Sequence, residues 1–488
     1  MMLQDLIQEV SSARLFGQSE IQVKGLAYDS RRVQKGDLFF ALSGSQKQGR
    51  DFIQEAISHG AVAVVGEESF ETEVTRIEVA NARMAMAKIA QRFFDFPDRQ
   101  LQVVGITGTN GKTTTAFLTK HLLQSMGLRC GLIGTVRYEI GDRVEAATHT
   151  TPESCELYAL LQKMVRENCR AAVMEVSSHA LDQYRVGGVD FDVAVFTNLT
   201  RDHLDYHSEM ESYFSAKQRL FANLGQQQKP GAMVVNGDDK RGQILVKNFL
   251  LKSDRKVVFG EIAGDLLWRL CGWHEKGCLA EFVYRNQRRS VALPLFGKFN
   301  IANAAAAMGA GLMLGGVFEK LARALESAPS VPGRLEAVPN TQGFKVFVDY
   351  AHTDDALRKA LETLAQVPHR RLITVFGCGG NRDRTKRPLM GAVAMELSDR
   401  VYVTSDNPRF EKPEAIIEEI VVGLKEDNDF EIVVDREEAI RAALNEAGTE
   451  DIVLIAGKGH ETYQEIEGVR YPFHDREVAQ KILEEACE

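Results

Sequence analysis

At 488 residues the chain is long enough for about three domains, each with its own core. A formal net charge of −9 leaves no basic surplus to neutralise a nucleic-acid backbone, so a nucleic-acid partner is excluded as the expectation, whereas small anions in local basic pockets are not. Seven cysteines, Cys130, Cys155, Cys169, Cys271, Cys278, Cys378 and Cys487, contain no C-x-x-C pair, which predicts reduced thiols in a cytosol and neither a disulfide frame nor a structural zinc.

Residues 1–99 read as a small α/β unit, with strand-like DLFFAL (37–42) and AVAVVG (61–66) around a helical DFIQEAISHG (51–60). The opening MMLQDLIQEV is acidic with no basic n-region, and no apolar run reaches about 18 residues, so a soluble, cytoplasmic protein without a membrane span is expected. FFDFPDRQ (93–100), with Pro97, predicts a linker and a boundary near residue 100. Apolar strands LQVVGIT, RAAVMEVSS, DVAVFTN and GAMVVN then alternate with helices through residues 100–331, predicting a doubly wound, mainly parallel sheet. A helix from Asn300 is expected to run until SAPSVPGR (327–334) interrupts it. Residues 332–488 alternate again, through RLITVFG, RVYVTSDN, EIVVD and DIVLIAGKG, as a Rossmann-like third domain. The fold class is therefore α/β in three domains.

The strand LQVVGIT runs into a glycine turn, Gly108, Thr109, Asn110 and Gly111, followed by Lys112, Thr113 and Thr114. This is a P-loop pattern for ATP: backbone N–H groups face the phosphates, Lys112 reaches the β/γ oxygens and Thr113 offers its hydroxyl to Mg²⁺. The spelling is shorter than the usual one, since Ile106 stands where a glycine is common. Glu175 ends the strand RAAVMEV, where sheet topology gathers ligand-binding groups, and is a candidate Mg²⁺ ligand or water holder. Asp202, His203, Asp205 and His207 crowd the segment after another strand; His203 is equally a structural histidine or a ligand with ATP-bound Mg²⁺. Lys217, on the following helix, reads as an ordinary solvated lysine.

Asn300 and Asn303 open an alanine-rich helix, where capping competes with ligand contact. Arg334, Asp349 and His352 stand at the start of the third domain, as nucleotide contacts or as a plain ion pair. Three loops, GCGGNRDRTKRP, SDNPRFEKP and AGKGHETYQ, each follow an apolar strand and should meet at one sheet edge. Their Arg382, Asp406, Asn407, Arg409 and Glu461 form a mixed-sign set suited to a zwitterionic amino acid, with arginine able to grip a carboxylate bidentately.

TGTNGKTT, MEVSSHAL, TNLTRDHLDYH, FGKFNIANAAAA, PGRLE and DYAHT occur in one order along the whole chain, and in this the sequence resembles the Mur ligase family, ATP-dependent enzymes that lengthen the peptide stem of the bacterial cell-wall precursor. DSRRVQKGDLFFAL and HTTPE are similar to the tripeptide-forming member, and the loop DNPR, Asp406 to Arg409, to the form associated with meso-diaminopimelate. The resemblance implies a UDP-binding domain at 1–99, a central ATPase at 100–331 and an amino-acid-binding domain at 332–488. It implies that Ser30, Ser45, Gln46 and Lys47 contact the UDP-sugar end, although Ser45 departs from a common histidine. Thr150, Thr151, Ser177, Gln183 and Arg185 would hold UDP-N-acetylmuramoyl-L-alanyl-D-glutamate. ATP would meet the P-loop together with Asn300, Asn303, Arg334 and Asp349; Mg²⁺ would be held through Thr113, Glu175, His203 and a carbamylated Lys217. Arg382, Asp406, Asn407, Pro408, Arg409, Gly457 and Glu461 would bind diaminopimelate. A monomer is expected. L-lysine as the added amino acid, or a folylpolyglutamate synthetase-like ligase, are the alternatives.

Overall fold

The computed structural model describes every residue except 12, 45–47, 68, 203, 250, 425–428 and 487–488. Among the described residues, three sheets of hydrogen-bonded strands and one hairpin carry the fold. The chain divides into two compact units, the first made of residues 1–269, 282–289 and 302–325, the second of 270–281, 290–301 and 326–488.

In the first unit, β1 (Arg14–Phe16), β2 (Gly25–Ala27), β3 (Asp37–Phe40), β4 (Ala63–Gly66) and β5 (Thr75–Glu78) form a sheet in the order β1-β5-β4-β3-β2. β3 and β4 are buried on both faces, which is why residues 38–40 and 63–65 are apolar without alternation, with Asp37 alone bringing a charge to the start of β3. The helix Ala82–Phe93 closes one face: the Asn81 side chain accepts from Met84 N at 2.8 Å, and Ala82, Ala85, Met86, Ile89 and Ala90 recur at helical spacing toward the core. The segment expected as a linker is packed instead. Pro97–Gln100 form a helical turn, and the carboxylate of fully buried Asp98 accepts from Gln91 Nε2 and Asp190 N, both at 2.9 Å. A continuous core runs from Leu3 and Phe40 through Tyr158 to Met233 and Leu245; each large side chain so buried is worth about 1.5–3 kcal/mol.

The second sheet is built on β6 (Gln102–Thr107), β7 (Cys130–Ile133), β8 (Arg137–Ile140), β9 (Arg143–Ala146), β10 (Ala171–Glu175), β11 (Val193–Phe196), β12 (Ala232–Asn236), β13 (Lys256–Gly260), β14 (Leu266–His274), β15 (Gly277–Tyr284) and β16 (Gln287–Leu293). Its order is β16-β15-β14-β13-β12-β11-β6-β10-β7-β8-β9. The central pairs are parallel, and β8 and β9 extend one edge as antiparallel strands. Register explains the placement of chemistry: Glu175 lies beside Ile106, and Phe196 beside Thr107, so the ends of β6, β10 and β11 are level. The helix expected from Asn300 spans Lys298–Met313 and stops there, well before the prolines, because Gly315 and Gly316 follow; a separate helix, Phe318–Ala324, comes next.

In the second unit, β17 (Glu336–Val338), β18 (Lys345–Asp349), β19 (Leu372–Phe376), β20 (Arg400–Val403), β21 (Phe430–Ile432) and β22 (Ile452–Ala456) order as β17-β18-β22-β19-β20-β21, all parallel except β17. A hairpin, β23 (Tyr463–Ile466) with β24 (Val469–Pro472), stands after β22. Apolar layers cover both faces of the sheet, one around Phe376 and Ile420, the other around Val375 and Ile440. No helix among the described residues is long and apolar enough to cross a membrane.

Candidate active site

At the carboxyl edge of the second sheet the chain turns from β6 into the helix Lys112–Ser125. Gly108 has φ +151°, and a Cβ there would stand 1.9 Å from Thr197 Oγ1; Gly111 has φ +83°, and a Cβ would meet Asn303 Oδ1 at 2.3 Å. Only glycine fits such close approaches. Asn303, buried at the helix facing the loop, also accepts from Thr115 Oγ1 at 3.4 Å. Asn300, in the second unit, bonds back to Phe296 O at 2.7 Å and so fastens its own helix start.

The loop is held from the side by residues that sequence reasoning did not single out. Asn198 Oδ1 accepts from Asn110 N at 3.0 Å, Thr197 Oγ1 donates to Asn110 O at 2.7 Å, and Thr109 N donates to Asn198 O at 2.9 Å. The signal available was positional: Thr197 and Asn198 directly follow a buried strand parallel to β6. Lys112 Nζ donates to Gly108 O at 3.0 Å and to Thr109 O at 2.8 Å.

Lys217 is not solvated. It is 1% exposed, donates to Gly108 O at 2.8 Å and lies 4.5 Å from the centre of the Tyr213 ring. Burial pushes its ammonium well below the usual lysine range, nearby Lys112 adds to the effect and Asp202 opposes it. Helical position alone gave no hint of this, because burial of the face depends on what packs over it.

Glu175 collects three donors. Thr113 Oγ1 reaches Oε2 at 3.0 Å, Thr135 Oγ1 reaches Oε2 at 3.1 Å, and Thr135 N reaches Oε1 at 2.8 Å. Thr135 Oγ1 also pairs with Thr150 Oγ1 at 3.0 Å. Next to it, Thr151 Oγ1 donates to Glu175 O at 2.8 Å and accepts from Ser177 N at 3.1 Å, and Ser177 caps the turn 178–182 by accepting from Ala180 N. Arg185 Nη1 donates to Thr151 O at 3.0 Å, its Nε and Nη2 reach Gln183 Oε1, and it pairs with Glu153 at 3.1 Å. The structure thus brings Thr113, Thr150, Thr151, Glu175, Ser177, Gln183 and Arg185 into one network. Ser30 belongs to a different cluster, donating to Glu55 Oε2 at 2.5 Å and accepting at its carbonyl from His59. Ser45, Gln46, Lys47 and His203 lie outside the described residues.

The second unit holds another cluster, above β22, β19 and β20. Asp349 ends β18 and accepts from Leu335 N at 2.7 Å and Ala351 N at 2.8 Å; burial raises its carboxyl above the usual range, and Arg334 opposes the shift. The Arg334 guanidinium sits 5.3 Å from the Tyr350 ring centre, and Tyr350 packs on His352 at 4.6 Å and His460 at 4.9 Å. Burial holds His352 below the usual histidine range and, with Arg334 adding to it, takes His460 down to about 4.

The three loops expected at one edge do meet. Gly380 N donates to Asn407 O at 2.9 Å, Arg409 Nη1 donates to Gly380 O at 2.8 Å, and Asn407 Nδ2 donates to Glu461 Oε2 at 2.8 Å. Arg409 occupies φ +53°, and its guanidinium is placed between the Gly380 carbonyl and the Glu465 carboxylate, whose Oε2 lies 3.7 Å from Nε. Asp406 Oδ1 accepts from Asn407 N at 2.6 Å, Pro408 is buried, Gly457 N donates to Asp349 O at 3.1 Å, and Arg382 stands exposed at the rim. Beneath them Arg436, a residue sequence reasoning missed, is completely enclosed. It forms a bidentate pair with Asp475 at 2.7 Å and donates to Ser405 O at 3.2 Å and Ala456 O at 3.0 Å.

A strand–glycine turn–Lys–Thr nucleotide loop, a buried lysine beside it and a separate loop cluster of mixed charge define an ATP-type ligase scaffold, and family models agree in the same order. The description Mur ligase family, catalytic domain, matches residues 22–94, Mur ligase middle domain matches 106–311, and Mur ligase, glutamate ligase domain, matches 333–459. The chain belongs to the Mur ligase family.

Within the family, a relative from Solibacter usitatus named UDP-N-acetylmuramoyl-L-alanyl-D-glutamate--2,6-diaminopimelate ligase is 46% identical over 95% of this chain and 94% of its own length. A solved structure of a ligase of that name is 32% identical, with a TM-score of 0.74 over 100% of this chain and 99% of that one. Folylpolyglutamate synthase of Mycobacterium tuberculosis is alike in fold alone, at 18% identity and a TM-score of 0.61 over 77% of this chain and 92% of its own.

Proposed function

We propose that this chain is the ATP-dependent ligase that joins meso-2,6-diaminopimelate to the D-glutamate of UDP-N-acetylmuramoyl-L-alanyl-D-glutamate in peptidoglycan precursor synthesis. Full-length identity of 46% to a relative bearing that name supports the reaction. The observation that carries the choice of amino acid is Arg409, fixed by Gly380 O and Glu465 within the D-N-P-R loop. Diaminopimelate differs from lysine by a second carboxylate, and an arginine fork left without one disfavours the wrong substrate.

The D-glutamyl γ-carboxylate attacks the γ-phosphorus of ATP, breaking its bond to the β,γ-bridging oxygen, to give an acyl phosphate and ADP; the neutral amine of diaminopimelate then attacks the acyl carbon, expelling phosphate and losing a proton to form the amide. Activation is needed because a carboxylate is a poor electrophile. In our reading, Gly108 to Thr114 cradle the phosphates, Lys112 offsets charge on the transferred group, and Asn303 contacts the nucleotide. Thr150, Thr151, Ser177, Gln183 and Arg185 hold the dipeptide end; Ser30 and residues 45–47 hold the UDP-sugar, on a domain spanning 1–99. Arg382, Asp406, Asn407, Pro408, Gly457 and Glu461 complete the diaminopimelate site with Arg409.

The donors suit Mg²⁺: the Thr113 hydroxyl and the Glu175 carboxylate are hard oxygens 3.0 Å apart in a buried setting, and Mg²⁺ takes few protein ligands and completes its shell with phosphate and water. When bound, the ion would supply charge neutralisation for phosphoryl transfer. His203 is the further candidate ligand. Lys217, buried and biased toward the neutral amine, is suited to carbamylation by CO₂, which would replace a buried cation with an anion. The protein acts in the cytoplasm, as a monomer.

The test is phosphate release from ATP with UDP-N-acetylmuramoyl-L-alanyl-D-glutamate, comparing meso-diaminopimelate with L-lysine. Release with diaminopimelate alone is expected; release with L-lysine alone would overturn the substrate assignment, and none with either would overturn the reaction.

A further inference from the structure

Lys458 is a lysine with a fully enclosed side chain in the middle of the loop that follows β22. Its Nζ donates to Asn407 Oδ1 at 3.0 Å and to Glu461 Oε2 at 3.3 Å. Asn407 Nδ2 donates to the same Glu461 oxygen at 2.8 Å, closing a triangle of three side chains from two loops. The triangle is tied to the backbone: Glu465 N donates to Asn407 Oδ1 at 2.9 Å, and Glu461 N donates to Lys458 O at 2.9 Å. The Tyr463 ring covers the ammonium at 5.7 Å.

A buried ammonium is costly unless a carboxylate and further acceptors surround it, and here both acceptors belong to residues assigned to the amino-acid substrate. Two donors on Oε2 fix the plane of the Glu461 carboxylate and turn Oε1 away from the triangle. Asn407 is fixed at the same time, because Lys458 can bond only its oxygen, which sets which end of the amide faces Glu461. We propose that Lys458 is a positioning residue for the amino-acid substrate, acting through Asn407 and Glu461 without touching the substrate itself.

The inference rests on the diaminopimelate reading, and the test separates the two. Steady-state kinetics of the full chain are measured for Lys458→Met, varying ATP, the UDP-muramoyl dipeptide and diaminopimelate in turn. Loss of charge-assisted bonds to the two substrate contacts predicts a KM for diaminopimelate raised by about tenfold or more, with the other two KM values within about twofold. Glu461→Gln alone should raise the same KM, and added to Lys458→Met it should cost less than about twofold more, because the two act as a unit. Lys458→Gln, which keeps an N–H donor in the enclosed slot, serves if the methionine variant does not fold, with a selective rise of about threefold or more expected.

An unchanged diaminopimelate KM, or a parallel rise in all three, overturns the proposal in favour of a purely structural lysine. If the unsubstituted protein uses L-lysine and not diaminopimelate, the substrate reading fails, and Lys458 is then judged by the same selectivity on the L-lysine KM.

Discussion

Thr113 Oγ1 donates to Glu175 Oε2 at 3.0 Å, so one carboxylate joins the first turn of the nucleotide-loop helix to the end of β10. Glu175→Gln keeps the shape and an acceptor for Thr135 N while removing the charge. Turnover should fall by about a hundredfold or more, with thermal melting little changed. Phosphate release at saturating substrates, beside a melting curve, checks this; retained turnover would remove Glu175 from the residues proposed to hold Mg²⁺.

Lys217 leads to a chemical prediction. A buried amine held toward its neutral form is the form that adds CO₂, so ¹³C-bicarbonate should give a carbamate resonance in the protein that Lys217→Met lacks. Removing dissolved CO₂ should lower turnover, and adding bicarbonate should restore it in the unsubstituted chain. A spectrum identical in both proteins would count against carbamylation at this lysine.

Arg409→Lys retains the charge but not the planar fork that Gly380 O and Glu465 orient. Preference for diaminopimelate over L-lysine, taken as the ratio of kcat/KM values, should drop by about tenfold or more. ATP KM should not move. The competition is measured with both amino acids in one assay, and an unaltered ratio would place the discrimination elsewhere.

His460 predicts a pH effect on folding. Burial, with Arg334 adding to it, lowers its value from 6.5 to about 4. The unfolded chain therefore binds more protons in that interval, and stability present above pH 6.5 is lost as pH falls through 6.5 toward 4. The loss is up to about 3 kcal/mol across the window. Urea midpoints at several pH values should show a steeper acid decline for the unsubstituted chain than for His460→Gln; parallel curves would mean that the ring titrates alike in both states.

The parts of this molecule that were legible in the sequence are those in which local chemistry and position coincide. Gly108, Gly111 and Lys112 are contiguous and follow an apolar strand, so their geometry needs little beyond the chain itself. Strand alternation likewise foretold parallel sheets, whose level ends bring Glu175 and residues 197–198 to the loop. From residue pattern alone Lys217 and Lys458 were not legible, because a lysine looks solvated until the groups packed around it are known; Lys217 was marked only through the family resemblance. The helix from Lys298 ended at Met313 and not near the prolines, since the weaker glycine stop acted first. Residues 97–100 carry the composition of a linker, yet the buried partners of Asp98 come from residues 91 and 190, a long-range pairing that no local pattern encodes.

The enclosed Arg436 grips Ser405 O and Ala456 O, the carbonyls just ahead of Asp406 and Gly457, from opposite sides of β19. Two loops that look independent along the chain are therefore mounted on one bracket, anchored by Asp475 at the start of the last helix. If these loops select the amino acid as proposed, an attempt to retarget that preference should exchange the loop tips as a matched pair and leave the bracket untouched, since tilting it would re-aim both loops together.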